Sequence, residues 1–347
     1  MNKLNLAVIG CGHLGRIHAR LATQLQGADL VAVCDPDPHA REQVARSNDC
    51  ESTGDFRSLL PSIDAAILAA PTSLHCPIAI ELIQHGIHVL VEKPITTDLN
   101  EAEKLTSAAN LQGVVLAVGH VEQFNPTFAE ARKQIQKPRF IEAVRTGGFT
   151  FRSTDVGVVF DLMIHDLDLI RSLAGSPVVQ TTATGISTLT PHEDFAEARL
   201  VFANGCVAHL KASRTSQRAQ RYMNVFEEEQ AVSIDMGARQ ASLMSRSSLV
   251  QDNSWNIYGL SSEDVDHYKE HVFDQLLPVR NIEVNENNPL LDEQQDFIDS
   301  IRQGRQPRVP GSDAVESVRM ATDILEQMKR SHANFHRSDR MTIRRAA

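Results

Sequence analysis

Asp161 and His165 stand four residues apart within 158–170, a stretch otherwise rich in apolar residues. On a helix that spacing puts both side chains on one face, and Asp168, three residues further on, falls on it too. Ionisable groups in an apolar helix are costly to bury, so they mark either a cleft or a braced core. An imidazole beside a carboxylate in a partly desolvated cleft suits general-base work near neutral pH. For this helix taken alone, a His–Asp pair bracing the core is the plainer alternative. No metal is expected: Asp161 and His165 offer only two well-placed ligands, and no other cluster completes a site.

A second candidate is Glu92-Lys93-Pro94, directly after a strand predicted at 88–91. Ligands bind outside the carboxyl ends of parallel strands in this class of sheet. Pro94 confines Lys93 to extended backbone and so aims its side chain consistently. A lysine so aimed could hydrogen-bond a substrate hydroxyl or take part in proton transfer. The tripeptide alone reads more simply as a solvated lysine.

The third candidate is Gly10-Cys11-Gly12-His13-Leu14-Gly15, between a predicted strand at 4–9 and a predicted helix at 13–26. Gly10 permits the tight turn, Gly12 lets a pyrophosphate approach the backbone, and Gly15 lets helix and strand pack closely. The free N–H groups at the helix start favour the negative charge. Asp35 ends the second predicted strand, 20 residues after Gly15. A carboxylate there accepts both ribose hydroxyls and repels a 2′-phosphate, and the nearest downstream arginine is Arg41, so NAD is expected rather than NADP. His13 enters only as a backbone position, and neither His13 nor His18 receives a catalytic role.

These residues need a scaffold, and the pattern supplies one. Short apolar runs at 4–9, 30–34, 65–69, 88–91 and 114–118 alternate with helical stretches at 77–85 and 99–111, predicting βαβ units and a parallel sheet. After about residue 120 come a helix at 126–135 and alternating segments at 139–146, 195–202 and 205–212, which read as an antiparallel or mixed sheet, half exposed. An apolar helix at 159–173 interrupts them, and helices at 290–302 and 313–330 follow. The expected division is 1–122 for a dinucleotide-binding domain, 123–335 for a substrate-binding and oligomerisation domain, and 336–347 for a polar, basic tail.

At 347 residues, 42% apolar, the chain is long enough for two cores. Its net charge of -10 argues against a nucleic-acid partner. Five cysteines without a C-x-x-C pair fit reduced, buried thiols in a cytoplasmic protein. No stretch has the length of a membrane span or of a secretory signal core, so no membrane association is expected.

Together these motifs resemble the glucose–fructose oxidoreductase/inositol dehydrogenase/MocA (Gfo/Idh/MocA) family. The resemblance rests on Gly10–Gly15, Asp35, Pro71-Thr72 with His75, Glu92-Lys93-Pro94, residues 157–165, Asn288-Pro289-Leu290 with Phe297, Gly304, and Gly311-Ser312-Asp313-Ala314. It implies a doubly wound Rossmann domain followed by an α+β domain on an open, mostly antiparallel sheet that commonly joins homodimers or homotetramers. It also implies that Lys93, Asp161 and His165 carry catalysis: His165 removes a hydroxyl proton, while Lys93 and Asp161 orient the substrate and tune that base. Thr72, His75 and Glu92 would line the cofactor cleft, Thr72 standing where many relatives carry Asn.

Residues 119–126 and 155–166 are similar to nucleotide-sugar 3-dehydrogenases, with Gln123 where relatives often read Arg. That likeness implies NAD-dependent oxidation of a sugar hydroxyl to a ketone, at C3 of a UDP-N-acetylhexosamine such as UDP-N-acetylglucosamine, on a route to the 3-amino sugars of lipid A. His120 and Asn125 are substrate candidates, and so are Arg152 and Arg214. Arg214 stands with Lys211, Arg218 and Arg221 in a basic cluster suited to phosphate oxygens, or equally to a solvated loop or a subunit contact. Two alternatives stay open: a cyclitol or free-sugar dehydrogenase of the same family, and a non-catalytic NAD-binding regulator. Retention of Lys93, Asp161 and His165 together counts against the regulator.

Overall fold

The computed structural model describes residues 3–345 except 152, 253 and 254, with backbone alone from 332 onward. Its first 124 residues build β1 (Leu4–Ile9), α1 (His13–Ala22), β2 (Ala28–Cys34), α2 (Pro38–Asn48), β3 (Glu51–Thr53), β4 (Ala65–Leu68), α3 (His75–Gln84), β5 (His88–Glu92), α4 (Leu99–Gln112) and β6 (Leu116–Gly119). The strands form one parallel sheet in the order β3-β2-β1-β4-β5-β6. Central strands of such a sheet are covered on both faces, which is why β4 is apolar and buried throughout. Local signals start the helices: Asp37 caps α2 by accepting the His39 N–H, with Pro38 in the first turn, and Asp98 accepts the Glu101 N–H of α4. The strand order turns outward from β1 and β4, and the carboxyl ends flanking that switch are where a ligand binds.

From residue 125 the chain builds a second unit. It holds α5 (Pro126–Arg132), β7 (Phe140–Thr146), a π-helical turn (Val159–Met163) continuing into α6 (Ile164–Ala174), β8 (Val178–Ile186), β9 (Phe195–Phe202), β10 (Val207–Ser213), β11 (Gln220–Phe226), β12 (Gln230–Asp235), β13 (Gln240–Ser245), α7 (Ser248–Gln251), α8 (Ser262–Glu270) and β14 (Val279–Ile282). The strands make an eight-stranded sheet, β14-β13-β12-β11-β7-β10-β9-β8. Among the described residues only the β7–β10 pair of this sheet is parallel. Ala196, Ala198, Leu200 and Phe202 of β9 are buried with Ala208, Leu210 and Ala212 of β10. The intervening Glu197, Arg199, His209 and Lys211 are partly or fully exposed, so one face is packed and the other open.

The chain then returns to its first core. α9 (Pro289–Gln303) begins on Asn288, whose side chain accepts the Leu290 and Leu291 N–H groups, and ends on left-handed Gly304. Its buried stripe carries Phe297 and Ile298 into the cluster of Leu6, Val8, Val33 and Ile67. Residues 287–323 therefore belong with 1–124, and the second unit comprises 125–286 and 324–347. This differs from the expected continuous 123–335: an amphipathic stripe is legible locally, but which core it enters is not. α10 (Gly311–Arg345) carries a helical backbone through most of the expected 336–347 tail. Among the described residues no helix is long and apolar enough to cross a membrane.

Candidate active site

The glycine loop lies where β1 meets α1. Gly10 has φ +99°, and a Cβ there would stand 2.5 Å from the Ala69 carbonyl oxygen. One on Gly15 would stand 1.8 Å from the Gly10 oxygen. Both glycines are required by the protein's own packing. Gly12 is different: it has ordinary φ, and a Cβ there meets nothing within 4 Å. Gly12 also caps α1 without a side-chain hydrogen bond, leaving backbone donors at the helix start. The space over Gly12 and those donors fit a pyrophosphate. His13 and Leu14 are exposed, consistent with a backbone role.

Asp35 follows β2. Its Oδ2 accepts the Cys11 N–H at 2.7 Å and its Oδ1 accepts the Asp37 N–H at 2.9 Å. The carboxylate is thus anchored beside the loop, with lone pairs left for ribose hydroxyls. Burial, and then the Asp35 charge, push the Cys11 thiol up to about 12 and the Cys34 thiol up to about 11. Both stay protonated and inert, and all five cysteines are free.

Pro71 and Thr72 open a 3-10 turn after β4, and Glu92 and Lys93 follow from β5, so these candidates gather at the carboxyl ends of neighbouring strands. His120 follows β6 and is buried. Two side chains depart from the expectation that they line a cleft. His75 is buried, with Nδ1 2.9 Å from the Pro94 carbonyl oxygen and Nε2 2.9 Å from that of Ala70. Glu92 is buried too, with Oε1 2.7 Å from His18 Nε2 and Oε2 accepting the Lys93 N–H at 3.0 Å. Both hold the turn in place rather than present a free polar group. Burial pushes the Glu92 carboxyl up, but the hydrogen bond and charge of His18 outweigh it, aided by Lys93, and hold it below the usual range.

In the second unit, Asp161 lies on the π-helical turn and His165 in the first turn of α6, and both are half-buried. π-turns inside helices recur at functional sites. The other two acids of this helix are structural. Asp166 is buried against Arg145 of β7, with a 2.8 Å contact from Nη2, and Asp168 is buried 3.5 Å from Arg171. Asp168 therefore does not share the half-exposed setting of Asp161 and His165, as simple helical spacing suggests. The start of the helix is held by Glu193, whose Oε1 accepts the Val159 N–H at 3.1 Å. A Cβ on Gly157 would collide with that carboxylate, which explains the glycine.

Arg214 is not presented as a phosphate ligand. It is buried, with Nε donating to Asp194 Oδ1 at 2.7 Å and Nη1 to the carbonyl oxygens of Ser153 and Val156. Burial pushes Asp194 up, but the N–H groups of Leu189, Thr188 and Thr190 with Arg214 outweigh it and hold the carboxyl far below its ordinary range. Asn125 caps α5 through the Thr127 N–H. Lys211 instead lies on the open sheet face beside Glu142 and Tyr222, so the basic cluster is divided. Arg152 lies outside the described residues. Sequence reasoning missed Glu193, Asp194 and Gln294, the last of which hydrogen-bonds His18; His18 is noted there without a catalytic role. The available signal was Gln294, a polar residue on the apolar stripe of α9.

A six-stranded parallel sheet in this order, a glycine loop opening at Gly12 and an anchored acid at Asp35 define an NAD-binding Rossmann oxidoreductase. Residues 4–120 match the model described as "Oxidoreductase family, NAD-binding Rossmann fold", and residues 117–233 match the Gfo/Idh/MocA C-terminal domain. The chain belongs to the Gfo/Idh/MocA oxidoreductase family. It is 37% identical over 236 residues to UDP-N-acetylglucosamine 3-dehydrogenase of Acidithiobacillus ferrooxidans, covering 68% of this chain and 75% of that one. It is 32% identical over 234 residues to scyllo-inositol 2-dehydrogenase (NAD(+)) of Bacillus subtilis, covering 62% and 68%. The solved structure of GnnA, the UDP-N-acetylglucosamine 3-dehydrogenase from Acidithiobacillus ferrooxidans, superposes with a TM-score of 0.83 at 29% identity, covering 94% of this chain and 98% of that one.

Proposed function

We propose that this protein oxidises the C3 hydroxyl of a UDP-N-acetylhexosamine, such as UDP-N-acetylglucosamine, to a ketone. The observation that carries the proposal is the retention of Lys93, Asp161 and His165 in a chain similar over most of its length to a UDP-N-acetylglucosamine 3-dehydrogenase. Bound NAD supplies the hydride acceptor. His165 takes the hydroxyl proton as the C–H hydride leaves and the C=O bond forms, so one proton and one hydride are removed. Lys93 hydrogen-bonds the reacting oxygen, and Asp161 orients the imidazole. The half-buried setting of Asp161 and His165 supports this assignment, since partial desolvation strengthens both contacts. His120 and Asn125 stand as substrate candidates, and the 3-keto product suits a following transamination to a 3-amino sugar. The open face of the second sheet supports a homodimer or homotetramer, and the free cysteines support a reducing compartment such as the cytoplasm.

Likeness to an inositol dehydrogenase favours a second reading, a cyclitol as substrate. Following NADH formation with UDP-N-acetylglucosamine, myo-inositol and glucose separates the two. Turnover of the free polyols alone rejects the nucleotide-sugar assignment. Lys93→Ala and His165→Ala are expected to abolish turnover while NAD still binds, and unchanged rates in both reject the catalytic roles.

A further inference from the structure

Three polar side chains outside the scheme above meet behind the Glu92-Lys93 turn. His18 of α1 is fully buried, its Nε2 2.7 Å from Glu92 Oε1 and its Nδ1 2.9 Å from Gln294 Nε2 of α9. Glu92 and Gln294 thus hold the two ring nitrogens of His18 between them. The other Glu92 oxygen accepts the Lys93 backbone N–H. β6 makes room for this carboxylate with Gly119, where a Cβ would stand 3.1 Å from Glu92 Oε2. Beside Gln294 lies Glu293, buried, with neither carboxyl oxygen hydrogen-bonded among the described residues.

We propose that His18, Gln294 and Glu293 are positioning residues for Lys93: they fix the Glu92 carboxylate and, through it, the backbone that aims the lysine. This rests on the reading that Lys93 hydrogen-bonds the substrate. A buried carboxylate without partners is costly, so Glu293 belongs in its neutral form. Burial, then the charge of Glu92 and that of Asp296, push it well above the ordinary range. The charged and titratable groups facing Glu92 and Glu293 are His18 from α1, Lys93 from the turn and Asp296 from α9, with Gly119 of β6 against Glu92. A single negative charge therefore faces His18 and Lys93. Such a shared site keeps the lysine's anchor in one protonation state.

The test uses full-length His18→Leu and His18→Gln. The glutamine can return an N–H to the place of Nε2. His18→Leu is expected to lower kcat about tenfold to a hundredfold through misplacement of Lys93, with KM for NAD little changed. His18→Gln restores most of the rate. Acylation of Lys93, read by peptide mass spectrometry without any sugar, is expected to change several-fold in His18→Leu and to return in His18→Gln. Wild-type acylation of Lys93 in His18→Leu overturns the proposal. So do equal losses in both variants that track a common loss of thermal stability. Should the wild type oxidise none of the sugars offered, the substrate assignment alone fails, because the acylation result does not depend on it.

Discussion

Asp35 accepts the Cys11 backbone N–H at 2.7 Å, tying the end of β2 to the glycine loop of β1. One carboxylate therefore shapes the loop and stands after β2, where this fold class holds the adenosine ribose. Arg41 adds a second consequence, since its Nη1 lies 3.2 Å from the Asp35 carbonyl oxygen and 3.1 Å from that of Pro36. The Arg41 guanidinium is thus held against the backbone beside Asp35, whose carboxylate charge opposes a 2′-phosphate in this fold class.

Asp35→Ser is therefore expected to lower kcat/KM for NAD by about tenfold or more, the loss of one or two charge-assisted hydrogen bonds. It should also raise the NADP-to-NAD ratio of kcat/KM. Steady-state kinetics with both cofactors checks this. An equal fall with each would mean that the carboxylate serves the loop alone.

Gly12→Ala and Gly15→Ala should separate ligand space from packing. A methyl group at 12 meets no protein atom, whereas one at 15 overlaps the Gly10 carbonyl. Gly12→Ala should keep the wild-type melting temperature and weaken NAD binding in calorimetry. Gly15→Ala should lower the melting temperature itself.

Asp194→Asn breaks the buried pair with Arg214, and the expected cost is about 3–5 kcal/mol in urea denaturation at neutral pH. The folded protein holds Asp194 well below its unfolded value. Its contribution is therefore complete above the unfolded pKa, near 3.9, and is lost as pH falls toward the folded one. The gap between wild type and variant should narrow in acid. A gap independent of pH would remove the ionic explanation.

Glu293→Gln is expected to behave in the opposite sense. The folded protein keeps a proton on Glu293 that the unfolded chain releases above about pH 4.3. Wild-type stability thus falls relative to the variant as pH rises from there until the folded pKa is passed, by up to about 1.4 kcal/mol per pH unit. Melting temperatures of the two proteins compared from acid to alkaline buffer should diverge. Parallel curves would show that Glu293 is ionised in the folded state.

Most of the Rossmann elements were legible because their signals are local. The expected strand at 4–9 is β1, the expected acid at its neighbour's end is Asp35, and Phe195–Phe202 appears as a strand with its predicted bounds. Segments with weak apolar pattern escaped notice, among them α2, with its sparse apolar stripe, and β3, whose three residues are Glu51, Ser52 and Thr53. The helix expected at 159–173 forms, but its first turn is π-helical, which no residue spacing announces. The setting of Arg214 is illegible in the sequence for a related reason: a guanidinium suits a phosphate and a buried aspartate equally well, and only the packing around Asp194 tells them apart.

Composition, periodicity and the short motifs were by themselves enough to determine a parallel sheet with a dinucleotide loop, an acid at the end of its second strand, and an Asp161/His165 pair on a helix. These properties depend on residues near each other in the chain. Tertiary structure alone decided that α9 returns to the first core, that His75 and Glu92 turn inward, and that His18 meets Gln294 across 276 positions of sequence. Such contacts follow from which apolar faces find one another on burial, a choice made by the whole chain together and not written in any single segment.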